Sequence, residues 1–271
     1  MKRSRLNRSL QVFWYLALLF LYAPLAIVVT FSFNSTNTYA KFSGFSLRWY
    51  EKLLENEIIL NAFYNSAVLA ITSSALATVF GTALGYGIYR YRHLQLGWLI
   101  WIIYLPIVMP DIVYGISQMT FFVGVHQLTG FLQPDLGTMI IAHISFQVPF
   151  VALLIYSRLV QMDPLLFEAT QDLYARPWQR AWYFVLPTLR AALISAFFLS
   201  FTLSIDDFVI SFFTAGPEST TLPIFIWSAI KKGITPEINA ISTLLIVTVF
   251  TAAAISFAIQ RARPAQSRSS Q

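Results

Sequence analysis

Apolar residues in this chain gather into long unbroken runs. The first extends from about Val12 to Phe33, and others cover about Ala62 to Tyr89, Trp98 to Val123, Leu136 to Tyr156, Ala191 to Phe213 and Ala240 to Ile259. Each holds about 20 residues or more, enough for a helix to cross about 30 Å of hydrocarbon. The pattern therefore predicts an all-α integral membrane protein of six transmembrane helices, with both termini on one side. The first run follows Lys2, Arg3, Arg5 and Arg8 and so resembles a secretory leader. It is longer than the roughly 7 to 15 apolar residues of such a leader and no small-x-small site follows it, so an uncleaved anchor is expected.

The polar intervals differ in length. Arg90 to Gly97 and Gly124 to Asp135 are short. Asn34 to Asn61 carries Phe42, Phe45, Leu47, Trp49, Tyr50, Leu53 and Leu54, a spacing that suits a short amphipathic helix at the membrane interface. Ala215 to Asn239 includes the apolar stretch Leu222 to Ile230, too short to span and hence re-entrant or interfacial. The interval Ser157 to Arg190 is different in kind. Asp163 can cap a helix that has Pro164 at its first position, and Pro177 can begin a second, which Pro187 would end or kink. A helix, a turn and a helix outside the membrane, presenting Leu165, Phe167, Trp178 and Trp182, calls for a docking partner to cover it.

Composition agrees with the runs: 57% of the 271 residues are hydrophobic and only 11% charged. The net charge of +6 is an orientation signal. One set of segments holds Lys2, Arg3, Arg5, Arg8, Arg90, Arg92, Arg158, Arg176, Arg180, Arg190, Arg261, Arg263 and Arg268, thirteen in all; the opposite set holds Lys41, Arg48, Lys52, Lys231 and Lys232, five in all. The positive-inside rule then places both termini and the Ser157 to Arg190 loop in the cytoplasm, and Ser267 to Gln271 reads as a disordered polar tail. Basic residues are not gathered with aromatics into a nucleic-acid face. Zero cysteines exclude disulfides and thiolate metal sites. His93, His126 and His143 are scattered, without H-E-x-x-H spacing, and no G-x-x-x-x-G-K-[ST] loop occurs, so no catalytic or metal site is expected and the chain cannot hydrolyse ATP by itself.

Of twelve acidic residues, only Asp111, Asp206 and Asp207 lie within apolar spans. An aspartate at a helix centre costs about 2.5 to 3.5 kcal/mol on insertion scales, so all three are candidate functional groups. Asp111 falls near the middle of Trp98 to Val123 and Asp206 some four residues, about 6 Å, from the middle of Ala191 to Phe213, which lets all three face one cavity. Adjacent helical residues diverge by about 100°, so Asp206 and Asp207 are expected to play different parts, one on cargo and one capping or pairing. Pro106 and Pro110 predict a kink beside Asp111. Carboxylates near Tyr114 and Phe208 suit an elongated organic cation, whose ammonium groups meet the charges and whose methylenes meet the rings. Gly81-x-x-x-Gly85 reads as a helix-packing pattern.

The loop also carries a family resemblance. Glu168-Ala169-Thr170, a turn, and Leu186-Pro187 resemble the EAA loop of ABC importer permeases, E-A-A, three residues, Gly, nine residues, an aliphatic, one residue, Leu-Pro. Asp172 lies between, and Tyr174 stands where the family has its turn glycine. Phe33-Asn34-Ser35, Tyr89-Arg90-Tyr91-Arg92, Met109 to Val113, Tyr156 to Leu159, Ser200 to Asp207 and Ser228 to Ala240 extend the resemblance over the whole chain, to spermidine/putrescine permease subunits of the PotC type. The resemblance implies a single transmembrane permease domain over residues 1–271, of the type I, MetI-like architecture, with the coupling loop at about 157–190. It implies a bacterial inner-membrane, multi-pass location and an alternating-access pathway for polyamines. Glu168, Ala169, Thr170, Asp172, Tyr174, Leu186 and Pro187 would couple it to an ATPase. Implied partners are a homologous permease (PotB type), two ATPase subunits (PotA type) that hold ATP and Mg, and an extracytoplasmic polyamine-binding protein (PotD type). This chain would bind no cofactor. Alternatives are an importer permease for iron, sulfate or molybdate, and a cation- or proton-coupled secondary transporter. The latter needs no docking loop and commonly carries inverted repeats, and an anion path needs basic residues inside a span.

Overall fold

A computed structural model of the protein describes residues 2–37, 41–91, 97–232, 236–247 and 251. Regular structure among them is helical, apart from an isolated antiparallel bridge between Asn34 and Phe45. The helices are α1 (Lys2–Ser32), α2 (Arg48–Glu55), α3 (Glu57–Arg90), α4 (Gly97–Val108), α5 (Asp111–Thr129), α6 (Leu136–Val160), α7 (Pro164–Asp172), α8 (Pro177–Gln179), a π-helical turn (Arg180–Val185), α9 (Leu186–Ile205), α10 (Val209–Thr214), α11 (Leu222–Lys232) and α12 (Pro236–Val247). Four stretches are long and apolar enough to cross a membrane, Leu10–Ser32, Glu57–Arg90, Leu136–Val160 and Pro177–Ile205; α4 and α5 together make a fifth if they count as one broken span. The second half of the predicted run to Ile259, Arg92 and the polar tail lie outside the described residues.

Two predicted spans are not continuous helices. Trp98 to Val123 is broken at Met109-Pro110, where α4 and α5 meet at 108°. The reason is local: proline disfavours the helical region for the residue before it and offers no N–H of its own, and Pro110 is itself extended (φ −59°, ψ 134°). The second half then restarts at Asp111 and runs past the predicted end to Thr129, where Gly130 closes it in the left-handed region (φ 74°). Ala191 to Phe213 is likewise interrupted at Asp206 to Phe208, between α9 and α10.

The converse correction applies at Pro187. It neither ends nor isolates the second helix of the Ser157 to Arg190 interval, because α8, the π turn and α9 form one apolar helical stretch. Leu186 N–H reaches back to Ala181 O, an i→i−5 bond. A widened turn directly before the proline accommodates a residue that cannot donate in an α-helical ladder.

The chain divides into two compact units, Met1–Leu60 with Ile226–Gln271, and Asn61–Phe225. In the second, α6 is the central element. Asp135 and Thr138 form a reciprocal capping box at its start, at 2.9 Å in both directions. Gly81 and Gly85 bring α3 against it: an added Cβ would lie 2.5 Å from Val151 Cβ at the first position and 2.5 Å from Ala152 O at the second. Between apolar helices in lipid such close approach, and not water exclusion, supplies the association. Val151, Ile155 and Leu159 of α6 pack with Val185, Leu189 and Ala196 of the π turn and α9, while Phe122, Ala142, Phe146 and Ile210 join α5 and α10 to α6. The loops before α6 and after α10 meet, since a Cβ on Gly216 would collide with Pro134 O. The alternation of the predicted spans expects both on one side of the membrane.

In the first unit, the predicted amphipathic helix is α2. Its apolar side is turned into the protein through Trp49 and Leu53, both buried. Trp49 Nε1 donates to Asn34 O, and Asn34, itself buried, accepts from Ser43 N (2.8 Å) and donates to Lys41 O (3.1 Å). Lys52 pairs with Glu237 of α12 at 3.9 Å.

Candidate functional site

Both helix breaks coincide with the expensive carboxylates. Asp111 is the first residue of α5 and is exposed, directly after the break expected beside it from Pro106 and Pro110. Asp206 and Asp207 stand in the gap between α9 and α10. An acidic residue in the first turn of a helix faces orphan N–H groups and the positive end of the helix dipole, which offsets part of the cost of holding it at membrane depth.

The two breaks are neighbours in the fold. Tyr114 Oη lies 2.8 Å from Ser145 Oγ and Gln118 donates to the same hydroxyl at 2.8 Å, so α5 runs antiparallel to α6 with its first turn near Phe146. Along α10, Ser211 lies near His143 and Thr214 near Thr138, so α10 also descends α6 in the opposite sense. Gly115 of α5 then lies against Val209, Ile210 and Phe213, and an added Cβ would sit 2.9 Å from the Phe213 ring. The start of α5, whose first residue is Asp111, thus lies beside the start of α10, whose first-turn N–H groups Asp207 accepts from just ahead of the helix.

The paired aspartates differ in environment. Asp206 is exposed. Asp207 is half-buried and accepts from Ile210 N (3.3 Å) and Ser211 N (2.8 Å), capping α10. Its Oδ2 is 3.5 Å from His143 Nε2. Phe208 is half-buried and its ring is 5.4 Å from that of Phe212. A cleft of about 720 Å³ lies elsewhere, between Ile88, Ile103, Tyr104, Leu154 and Tyr156, and none of the candidate carboxylates lines it.

His143 is the residue that sequence reasoning passed over. It is 1% exposed, with Nδ1 2.8 Å from Ser204 Oγ and Nε2 3.1 Å from Ser211 Oγ. The available signal was a polar pair at helical spacing inside an apolar run, His143 and Gln147, which places both on one face of α6.

The Ser157 to Arg190 interval folds as a helix, a turn and a helix. Asp163 accepts from Leu165 N (2.9 Å) at the start of α7, as expected of a cap before Pro164. Glu168 and Asp172 are exposed. Tyr174 adopts φ 51°, the conformation a glycine would supply, and Ala175 N donates to Thr170 O at 3.3 Å. That six-to-one bond, with Tyr174 as the left-handed residue, is a Schellman closure. The chain therefore keeps the glycine-type turn without the glycine. Leu165, Trp178 and Trp182 are exposed as expected; Phe167 is not, since its ring packs between Tyr89 (5.3 Å) and Phe184 (5.3 Å). Leu186 is half-buried and Pro187 exposed.

Residues 77–263 match the family described as binding-protein-dependent transport system inner membrane component. The putrescine transport system permease protein PotI of Escherichia coli K12 is 37% identical over 233 residues, 85% of this chain and 83% of its own length. The spermidine/putrescine transport system permease protein PotC of Haemophilus influenzae is 34% identical over 249 residues, 92% of this chain and 95% of its own. Among solved structures, a chain of a bacterial ABC transporter that imports the acidic polysaccharide alginate superposes with a TM-score of 0.75 at 17% identity, over 98% and 97% of the two chains. A chain of the inward-facing MetNI methionine ABC transporter gives 0.63 at 16%, over 78% and 96%. A fold that is helical among the described residues, with several apolar spans, a glycine-type turn at Tyr174 and this extent of sequence identity, places the chain in the binding-protein-dependent transport system inner membrane component family, whose members are transport subunits and not enzymes.

Proposed function

We propose that this chain is one of two homologous permease subunits of an ATP-driven importer, and that its cargo is a polyamine. What carries the reading is the placement of Asp111 and Asp206 at two adjacent helix breaks, both exposed, in a chain whose relatives are named for putrescine and spermidine. The alginate importer subunit with the same fold serves an acidic polymer, so the fold does not select the cargo and the side chains must. Carboxylates at broken helices favour ammonium groups; Tyr114 and Phe208 add rings for the methylenes, and Asp207 completes the wall of the path.

The topology proposed is a single transmembrane domain of six spans in the bacterial inner membrane, termini cytoplasmic. α4 with α5 counts as one broken span, and α12 leads into the sixth. The 13 to 5 basic asymmetry and the meeting of the Gly124 to Asp135 and Ala215 to Asn239 loops support it. The loop from Ser157 to Arg190 seats on an ATPase subunit through α7, with Glu168, Ala169, Thr170 and Asp172 on the docking helix, Tyr174 in its turn, and Leu186 and Pro187 in the following helix. ATP and Mg belong to two such ATPase subunits (PotA type). A PotB-type permease and a PotD-type binding protein complete the assembly. Work enters because ATP binds one conformation of the assembly better than the other, and shifting a 1:99 equilibrium to 99:1 takes about 5.5 kcal/mol of differential affinity.

The test is uptake of radiolabelled spermidine by proteoliposomes holding the complete importer. Asp111→Asn and Asp206→Asn are expected to lower uptake sharply while leaving assembly intact. Normal uptake by both variants would overturn the cargo reading. Glu168→Arg is expected to abolish ATP-dependent uptake and retention of the ATPase subunit during purification, and unchanged behaviour on both counts removes the coupling assignment.

A further inference from the structure

We infer that His143 is a positioning residue that holds Asp207 inward at the α9–α10 break and thereby leaves Asp206 as the carboxylate presented to cargo. The inference rests on the cargo reading above for its functional half only.

The argument begins with burial. His143 is 1% exposed, Gln147 and Ser73 are fully buried and Ser204 is 3% exposed. Buried polar side chains need partners, and these four find one another. Gln147 Nε2 donates to Ser73 Oγ (3.2 Å), Ser73 Oγ lies 3.2 Å from Ser204 Oγ, Ser204 Oγ lies 2.8 Å from His143 Nδ1, and His143 Nε2 lies 3.5 Å from Asp207 Oδ2 with Ser211 Oγ at 3.1 Å beside it.

Direction follows from chemistry. In the tautomer with its hydrogen on Nε2, His143 donates to Ser211 Oγ (3.1 Å) and turns that N–H toward the Asp207 carboxylate (3.5 Å), while Nδ1 accepts from Ser204. Ser204 must in turn receive its hydrogen bond from Ser73, and Ser73 receives from the Gln147 amide. In that tautomer every donor in the chain points toward the Asp207 end. Such a chain polarises in a single sense, and its members strengthen one another.

The chain also crosses elements. Ser73 is on α3, His143 and Gln147 on α6, Ser204 on α9 and Ser211 on α10. Its terminus, Asp207, is the residue that caps α10 through Ile210 N and Ser211 N. Because Asp206 and Asp207 are adjacent, fixing Asp207 toward α6 fixes where Asp206 points. His143 sets that geometry without touching cargo.

The experiment has two arms on the intact importer. In the first, amide hydrogen exchange is followed at Ile210 and Ser211, which is independent of what the cargo is. His143→Leu and Asp207→Asn are each expected to accelerate it and His143→Gln, which keeps a donor, to restore much of the protection. Unchanged exchange in His143→Leu overturns the positioning role. In the second, spermidine uptake is expected to show a KM raised about ten-fold by His143→Leu with the maximal rate little altered, and no further rise in the His143→Leu/Asp207→Asn double variant, since the two act through one contact. Effects that multiply overturn the route through Asp207. If His143→Leu fails to assemble, Ser204→Ala weakens the same chain from its other side, with the same expected signs; an unaltered KM together with unaltered exchange in that variant overturns the inference. Normal uptake by both Asp111→Asn and Asp206→Asn, with exchange behaving as stated, defeats the cargo reading and leaves the positioning role standing.

Discussion

Three glycine-type positions show how much a single residue decides. At Gly85 the obstacle to any side chain is the Ala152 carbonyl, a backbone atom that cannot rotate away. Gly85→Val is therefore expected to separate α3 from α6 and lower the melting temperature of the purified protein in detergent. Gly87, two residues further along α3, has nothing within 4 Å of its missing Cβ. Gly87→Ala is expected to leave melting unchanged or raise it slightly, because alanine is favoured in a helix interior by about 0.5 to 1 kcal/mol. Tyr174 presents the opposite case, a side chain where glycine fits. Its left-handed conformation costs roughly 1 to 2 kcal/mol, so Tyr174→Gly is expected to stabilise the turn and Tyr174→Val, branched at Cβ, to destabilise it, both read by thermal melting. That Tyr174 is 95% exposed means the chain gains no packing in return for the strain.

Elements here are defined by where proline and aspartate fall. Pro110 breaks a span because its neighbour on the N-terminal side must leave the helical region, whereas Pro187 does not, because the π turn before it carries the ladder across. The same residue type thus has two outcomes that the sequence pattern alone does not separate. Asp163 is the cap that sets α7, and its bond to Leu165 N is the element's specific N-terminal restraint. Removing it as Asp163→Ala costs about 1 kcal/mol, which corresponds to about five-fold faster amide exchange across Pro164–Asp172 if that helix opens locally. Exchange that stays at the native rate would show that packing of Phe167 between Tyr89 and Phe184, and not the cap, holds the helix.

At the scale of the whole molecule, orientation is the quantity most open to direct test. The chain has no cysteine, so single cysteines can be placed without background. Glu218→Cys, exposed in the loop after α10, is expected to react with a membrane-impermeant maleimide added to intact spheroplasts; Asp172→Cys, exposed at the end of α7, is expected to react only after lysis. The reverse pattern would invert the topology. Sums over many residues are legible without the fold: membrane residence from run length, and a helix, a turn and a helix after α6 from two prolines, a cap and their spacing. Those signals are additive and local, and no single contact can reverse them. The rest depended on how the helices pack. The tertiary structure turned two predicted spans into broken helices, brought the first turns of α5 and α10 together through the close approach at Gly115, and gave Asp207 a buried partner in His143. The physical reason is distance along the chain: Asp207 and His143 are far apart in sequence, and neither shows in a run of apolar residues which buried donor it will meet. A carboxylate in a membrane span announces that it has a role, and the helices that pack around it choose which one.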